Sequence, residues 1–121
     1  MVRLLSPEVI QTLNKYDLGE PIHFVGLGAH DFQFAYGEFI VRSEYQASLK
    51  IAERHHEWVE GPIDAPVWKL VGQKVISVVA DTDAALKFTL EKGDEIEVRT
   101  EQGPYEAIII EAANRGFLEV F

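Results

Sequence analysis

The sequence predicts an α+β, mostly β fold: two homologous antiparallel units packed as a sandwich or partly open barrel, with an N-terminal helix on one side. Three observations predict it. One motif is written twice, the dominant hydrophobic period after residue 20 is two, and a single helix start stands near the N-terminus.

The first copy of the motif runs Gly19, Ile22, Val25, then Phe32, Phe34, Gly37, Val41-Arg42-Ser43-Glu44, Tyr45 and Ala47. The second runs Gly72, Val75, Val78, then Leu86, Phe88, Gly93, Val98-Arg99-Thr100-Glu101, Tyr105 and Ala107. The offset grows from about 53 to about 60 residues, so insertions fall mostly in the second copy. The chain is expected to be one domain, 1–121, with an internal repeat of about 6–60 and about 64–121.

Ser6-Pro7-Glu8 reads as a helix start: a cap, a proline at the first helical position, and an acid where the helix dipole favours it. Val9, Ile10, Leu13 and Tyr16 then share one face, and Asp17-Leu18-Gly19 ends the element at a glycine able to take a left-handed conformation. Beyond it Phe32, Phe34 and Tyr36 alternate with Gln33 and Ala35, and Gly37-Glu38 reverses the chain into Phe39 to Arg42. Tyr45, Ala47, Leu49 and Ile51 alternate with Gln46, Ser48 and Lys50, a half-buried strand with one solvated face.

In the second copy Leu86, Phe88 and Leu90 oppose Lys87 and Thr89, Lys92-Gly93-Asp94 turns, and Ile96 and Val98 follow. Prolines 62 and 66 interrupt any ladder in the connector, where Asp64 is a candidate cap for a short helix over 65–70. Each copy thus reads as a helix and three or four strands. A last strand is expected over 117–121, with a first-copy counterpart over 57–60.

One difference between the copies stands out. Gln46, Ser48 and Lys50 align with Glu106, Ile108 and Ile110, so the second-copy strand is apolar on both faces. Ile108 and Ile110 are expected to be covered by the N-terminal helix or by another chain, which makes them a candidate interface.

Composition narrows the function classes. The net charge of −9 is spread over both halves, with 5 bases and 9 acids in residues 1–60 and 6 and 11 in residues 61–121. Such a surface repels phosphate backbones, so nucleic-acid binding is not expected, while a basic protein partner would be attracted. There is no cysteine, hence neither a disulfide scaffold nor a thiolate metal site. No apolar run reaches the roughly 20 residues that span a bilayer, and no signal-peptide pattern opens the chain. A cytoplasmic protein is expected.

No cluster carries obvious chemistry. His55 and His56, adjacent on a strand, would face opposite ways and could not share a metal ion. His23 and His30 have no recognisable partner, and Asp81-Thr82-Asp83 lacks the glycine and glutamate of a calcium loop. Gly26-Leu27-Gly28 precedes no helix, as a nucleotide-binding loop must. No catalytic residue, metal or cofactor is expected, and the protein reads as a non-enzyme. Trp68 lies in the apolar run 67–71 and reads as core. Trp58, amid His56, Glu57 and Glu60, reads as a candidate contact for a basic partner.

Leu70-Val71-Gly72, Val75, Leu86, Phe88, Gly93-Asp94 and Tyr105-Glu106 resemble the core pattern of a small bacterial family of β-rich proteins of unknown function, mainly over residues 68–112. Its members are similar to acidic immunity proteins that neutralise secreted toxins. The resemblance implies an acidic binding module, an immunity- or antitoxin-like inhibitor of a basic toxin domain, and no catalytic residues. A second reading is a homodimeric structural or regulatory domain. A third is a small-ligand carrier or enzyme with a pocket between the sheets.

Overall fold

One helix, a 3-10 turn and ten strands make up the residues that the computed structural model describes: 7–28, 31–44, 46–58, 65–82, 85–99, 108–112 and 117–120. The first half holds α1 (Pro7–Lys15), β1 (Ile22–Leu27), β2 (Phe32–Tyr36), β3 (Phe39–Ser43), β4 (Gln46–Ile51) and β5 (Arg54–Trp58). The second holds the 3-10 turn Val67–Leu70, β6 (Val75–Thr82), β7 (Ala85–Leu90), β8 (Glu95–Arg99), β9 (Ile108–Ala112) and β10 (Phe117–Val120). The fold is therefore mostly β with one short helix, as the alternation predicts, and among the described residues each repeat contributes five strands, its last strand included.

Two antiparallel sheets, not closed into a barrel, face each other. Their strand orders are β1-β2-β3-β9-β10 and β5-β4-β8-β7-β6. Adding five to each strand number, and returning to β1 after β10, converts one order into the other. Each repeat thus keeps three strands in its own sheet and sends its last hairpin into the other.

The registers give the correspondence residue by residue. Val25 opposes Phe34 as Val78 opposes Phe88, and both edge strands carry a bulge, between Ile22 and Phe24 and between Val75 and Ser77. The two copies join where the motif begins. Gly19 N donates to Val75 O (2.8 Å) and Gly72 N to Ile22 O (2.7 Å), while Ile22 N donates to Gln73 O (2.8 Å) and Val75 N to Glu20 O (3.1 Å). These four bonds are two related pairs about the Pro21–Lys74 bridge. Gly19 (φ +87°) and Gly72 (φ +94°) sit in a backbone region that residues with a Cβ rarely adopt, so the turn into this junction calls for glycine.

Aromatic rings fill the space between the sheets. Phe32, Phe34, Tyr36, Phe39, Trp58 and Phe88 are fully buried, with Leu13, Ile22, Leu49, Ile51 and Leu70 around them. Burying one such side chain stabilises the fold by about 1.5–3 kcal/mol. Helix α1 packs on β6, where Leu13 enters the core and Ile10 and Tyr16 pack against it. Asn14 clamps the free edge of β6: its Nδ2 donates to Val78 O (2.7 Å), and its Oδ1 accepts from Val78 N (3.1 Å).

Three expectations are corrected. Ile108 and Ile110 are buried in the intersheet core and are not covered by α1. Ile108 pairs with Ser43 in the way that Ala47 pairs with Val98, so Ala47 corresponds to Ile108 and not to Ala107. This one-residue shift turns Ile108, Ile110 and Ala112 inward and Ile109 outward. The inserted residues lie between β8 and β9, where the connection is 100–107 against 44–45 in the first copy.

β5 begins at Arg54 rather than at 57, because Ala52 and Glu53 close a two-residue hairpin. The third correction concerns Trp68, which is 69% exposed on the 3-10 turn, whose core residue is Leu70. That turn spans Val67–Leu70 with no side-chain cap, and Asp64 lies outside the described residues.

Candidate functional site

The residues expected to meet a partner do not form one surface. On β5 the strand period separates them: Glu57 opposes Ser48 and His55 opposes Lys50 on the outer face, whereas His56 opposes Leu49 and Trp58 opposes Ala47 on the inner face. Trp58 is fully buried, its ring centroid 6.5 Å from that of Phe32. It is a core residue and cannot serve as an exposed contact. Its charged neighbours in sequence, which suggested exposure, belong largely to the opposite side of the strand. His56 is half-buried, and Glu60 lies outside the described residues.

Glu57 instead belongs to a polar face on β5-β4-β8-β7. Ser48 Oγ donates to its carboxylate at 2.8 and 2.9 Å, and Gln46 Nε2 donates at 3.0 Å. Next to them Lys50 opposes Glu95, Lys87 opposes Glu97, and Arg99 forms a salt bridge with Glu97. Ser48, Glu57 and these charged groups line a shallow depression of about 230 Å³. Three acids, Glu57, Glu95 and Glu97, stand among three bases, Lys50, Lys87 and Arg99, so the face is internally compensated. It is what a polar sheet face with cross-strand charge pairs looks like, with Glu97 buried among them.

A second depression, about 440 Å³, lies at an end of the sandwich between Ala52, Lys69, Val71, Gln73, Lys92 and Asp94. Both oxygens of Asp94 are engaged there, Oδ2 by Gln73 Nε2 (2.7 Å) and Oδ1 by Ala52 N (3.0 Å). This carboxylate ties the β4–β5 hairpin to the start of the second repeat. It is a structural group.

The outer face of the other sheet has a different character. Phe24, Ala35, Ile40 and Glu111 stand in one cross-strand row, and Ile109 neighbours it in the next. Phe24 is 45% exposed, Ile40 37% exposed and Ile109 half-buried, while Ala35 is buried. The ring of Phe24 lies over Gly26, where an added Cβ would come within 2.8 Å of Cζ. Along β1, β2, β3, β9 and the β2–β3 turn the charged residues are Glu38, Arg42 and Glu111, and Glu44 follows β3. Arg42 Nε lies 3.8 Å from Asp31. The result is an apolar row with an acidic border. Alternation alone does not reveal it, because Ile109 sits between two other isoleucines and Phe24 lies where a bulge breaks the pattern.

Other groups have structural surroundings. Tyr36 is enclosed by Phe34, Phe39 and Phe88; burial first, and then the charge of Asp17, raise its pKa above the ordinary tyrosine range. Asp17 Oδ2 accepts from Glu38 N (3.0 Å), fixing the end of α1 to the β2–β3 turn. His23 Nε2 lies 3.1 Å from Gly37 O. Among the described residues no group of three or more His, Asp or Glu side chains could hold a metal ion, and no helix is long and apolar enough to cross a membrane. His30 and Asp83 lie outside the described residues. Comparison of the chain with protein-family models, with curated proteins and with solved structures gave no match.

Proposed function

We propose that this chain is a protein-binding module that docks a basic partner on the outer face of the β1-β2-β3-β9-β10 sheet. The observation that carries the reading is the exposed row of Phe24 and Ile40, continued by Ile109. A sheet face left to water should alternate to polar residues, as β4, β8 and β7 of the other sheet do with Ser48, Lys50, Lys87 and Glu95, its exposed apolar residues Ile76 and Val79 being confined to the edge strand β6. An aromatic and an isoleucine in one row, with a second isoleucine in the next, instead supply apolar anchors of the kind that dominate binding energy.

Charge selects the class of partner. Glu38, Glu44 and Glu111 border the row, and the chain as a whole carries −9, so a basic surface gains in encounter rate and in specificity. Face-to-face association of two copies would bring these acids together, which disfavours a homodimer through this face. The earlier candidate interface, Ile108 and Ile110, is core. The resemblance over residues 68–112 supports a narrower form of the same proposal: an immunity-like inhibitor of a basic toxin domain, acting in the cytoplasm.

The test is retention of the product of the adjacent gene on immobilised protein. Wild type should retain a basic partner, Ile40→Glu should weaken binding at least tenfold, and Lys87→Ala on the other sheet should leave it unchanged. If nothing basic is retained, or if Ile40→Glu binds as well as wild type, the proposal is wrong.

A further inference from the structure

Four strands form the sheet edges, and among the described residues one of them, beyond the bulge at its start between Ile22 and Phe24, carries neither a charge nor a proline nor a side-chain clamp. Edge strands present unpaired backbone groups, and proteins normally blunt them with charge, proline or a covering element. β5 carries Arg54 and Glu57, β10 carries Glu119, and β6 is clamped by Asn14. β1, Ile22–Leu27, has no formally charged residue and no proline. The 3-10 turn Val67–Leu70, which stands in the second repeat where α1 stands in the first, contains no side-chain amide to repeat the clamp. Among the described residues, the β1 segment is tied on this side only at its start, through Ile22 and the neighbouring Pro21–Lys74 bridge.

The position left open is defined by the repeat. Val78 turns its N–H and C=O away from β7, since both bond to Asn14. Val25 opposes Phe34 as Val78 opposes Phe88, one bulge further along the same register. Its N–H and C=O therefore point away from β2 into the free edge.

We propose that β1 pairs antiparallel with β1 of a second copy of this chain, across a two-fold axis at Val25. The two valines exchange both backbone hydrogen bonds, His23 pairs with Leu27 of the other copy, and the two five-stranded sheets become one of ten strands. An identical strand is self-complementary in this arrangement, as a two-fold interface requires. The occupant is a second copy because the seam is uncharged: the −9 carried by each chain lies elsewhere, and screening over about 8 Å at physiological salt limits its repulsion. Pairing also makes the two Phe24–Ile40 rows continuous, so the dimer presents a wider apolar platform.

Sedimentation velocity of the full chain, from 1 to about 500 µM, tests this together with Val25→Pro. A proline at an outward-facing edge position removes no bond of the ladder with β2 but blocks strand addition. Wild type should approach twice 13.7 kDa with rising concentration, more readily at 300 than at 20 mM salt. Val25→Pro should raise the dissociation constant at least tenfold while keeping the wild-type circular dichroism spectrum. Should that variant unfold, Phe24→Lys, which puts a charge on the edge, replaces it with the same expected result. A wild-type chain that stays monomeric throughout, or a folded variant that dimerises like wild type, overturns the proposal. Partner binding that depends on Ile40, two strands from the seam, would survive that failure, so the two proposals fall separately.

Discussion

Phe34 and Phe88 occupy corresponding positions of the two repeats and meet each other edge to face, with ring centroids 4.9 Å apart and planes at 84°. Each opposes the corresponding valine, Val25 or Val78, on its own edge strand. The contact therefore lies where the two copies meet across the core, and neither repeat can complete its interior alone. The exchange of hairpins, β4-β5 into one sheet and β9-β10 into the other, has the same consequence for the backbone.

Coupling between these rings is the first expected result. Phe34→Leu and Phe88→Leu should each destabilise by roughly 1–2 kcal/mol. The double variant should cost less than their sum, with an interaction energy of about 0.5–1.5 kcal/mol. Urea unfolding of the four proteins measures this, and full additivity would mean that the rings do not touch.

The β4–β5 hairpin should gain from better turn chemistry. Ala52 (φ 51°) and Glu53 (φ 68°) both hold left-handed conformations in a two-residue loop, the geometry that Asn-Gly adopts most readily. The double change Ala52→Asn and Glu53→Gly should stabilise by about 1–2 kcal/mol. Ala52 N bonds Asp94 through the backbone and is retained, so a loss of stability in urea would contradict this geometry.

Tyr36 predicts a pH dependence of known sign. Its hydroxyl is buried without a hydrogen-bond partner, and its pKa in the fold lies above the unfolded value of 10.0. The neutral phenol is favoured by folding, so its contribution is fully present below pH 10 and declines as the pH rises further, by about 1.4 kcal/mol per unit. Tyr36→Phe should match or exceed wild-type stability at pH 7, since it removes an unpaired buried group. The variant's advantage should widen between pH 9.5 and 11 when both proteins are titrated with urea.

Asn14 should prove more important than its half-buried position suggests. Asn14→Ala removes the clamp on Val78 and leaves an N–H and a C=O without partners, at about 1–3 kcal/mol. It also frees the β6 edge, so a larger hydrodynamic radius at high concentration is expected alongside the lower urea midpoint. Wild-type behaviour in both would mean that the edge is protected by something else.

The legible part of this fold is the part fixed locally. Alternation along Phe32 to Tyr36 and Ala47 to Ile51, and the glycines at Gly19, Gly72 and Gly93, each constrain a few neighbouring residues and can be read directly. Hairpin exchange is not local, because β4 has the same inward residues whichever sheet it joins. Ile108-Ile109-Ile110 carries no phase, and a one-residue error there reverses which isoleucines face the core. Trp58 misled for a related reason. Charged neighbours in sequence mark exposure on a loop, but on a strand they occupy largely the opposite face. The apolar row became visible only with the registers, since Phe24, Ala35, Ile40 and Ile109 come from four strands.

The proposal that the first sheet carries the binding surface is tested most directly by amide chemical-shift mapping of the labelled chain, titrated with the basic protein it retains. Shifts concentrated at Phe24, Ala35, Ile40 and Ile109, with Lys87, Glu95 and Glu57 unmoved, are the predicted result. Shifts centred on the Ser48–Glu57–Glu97 face would contradict it and transfer the site to the other sheet.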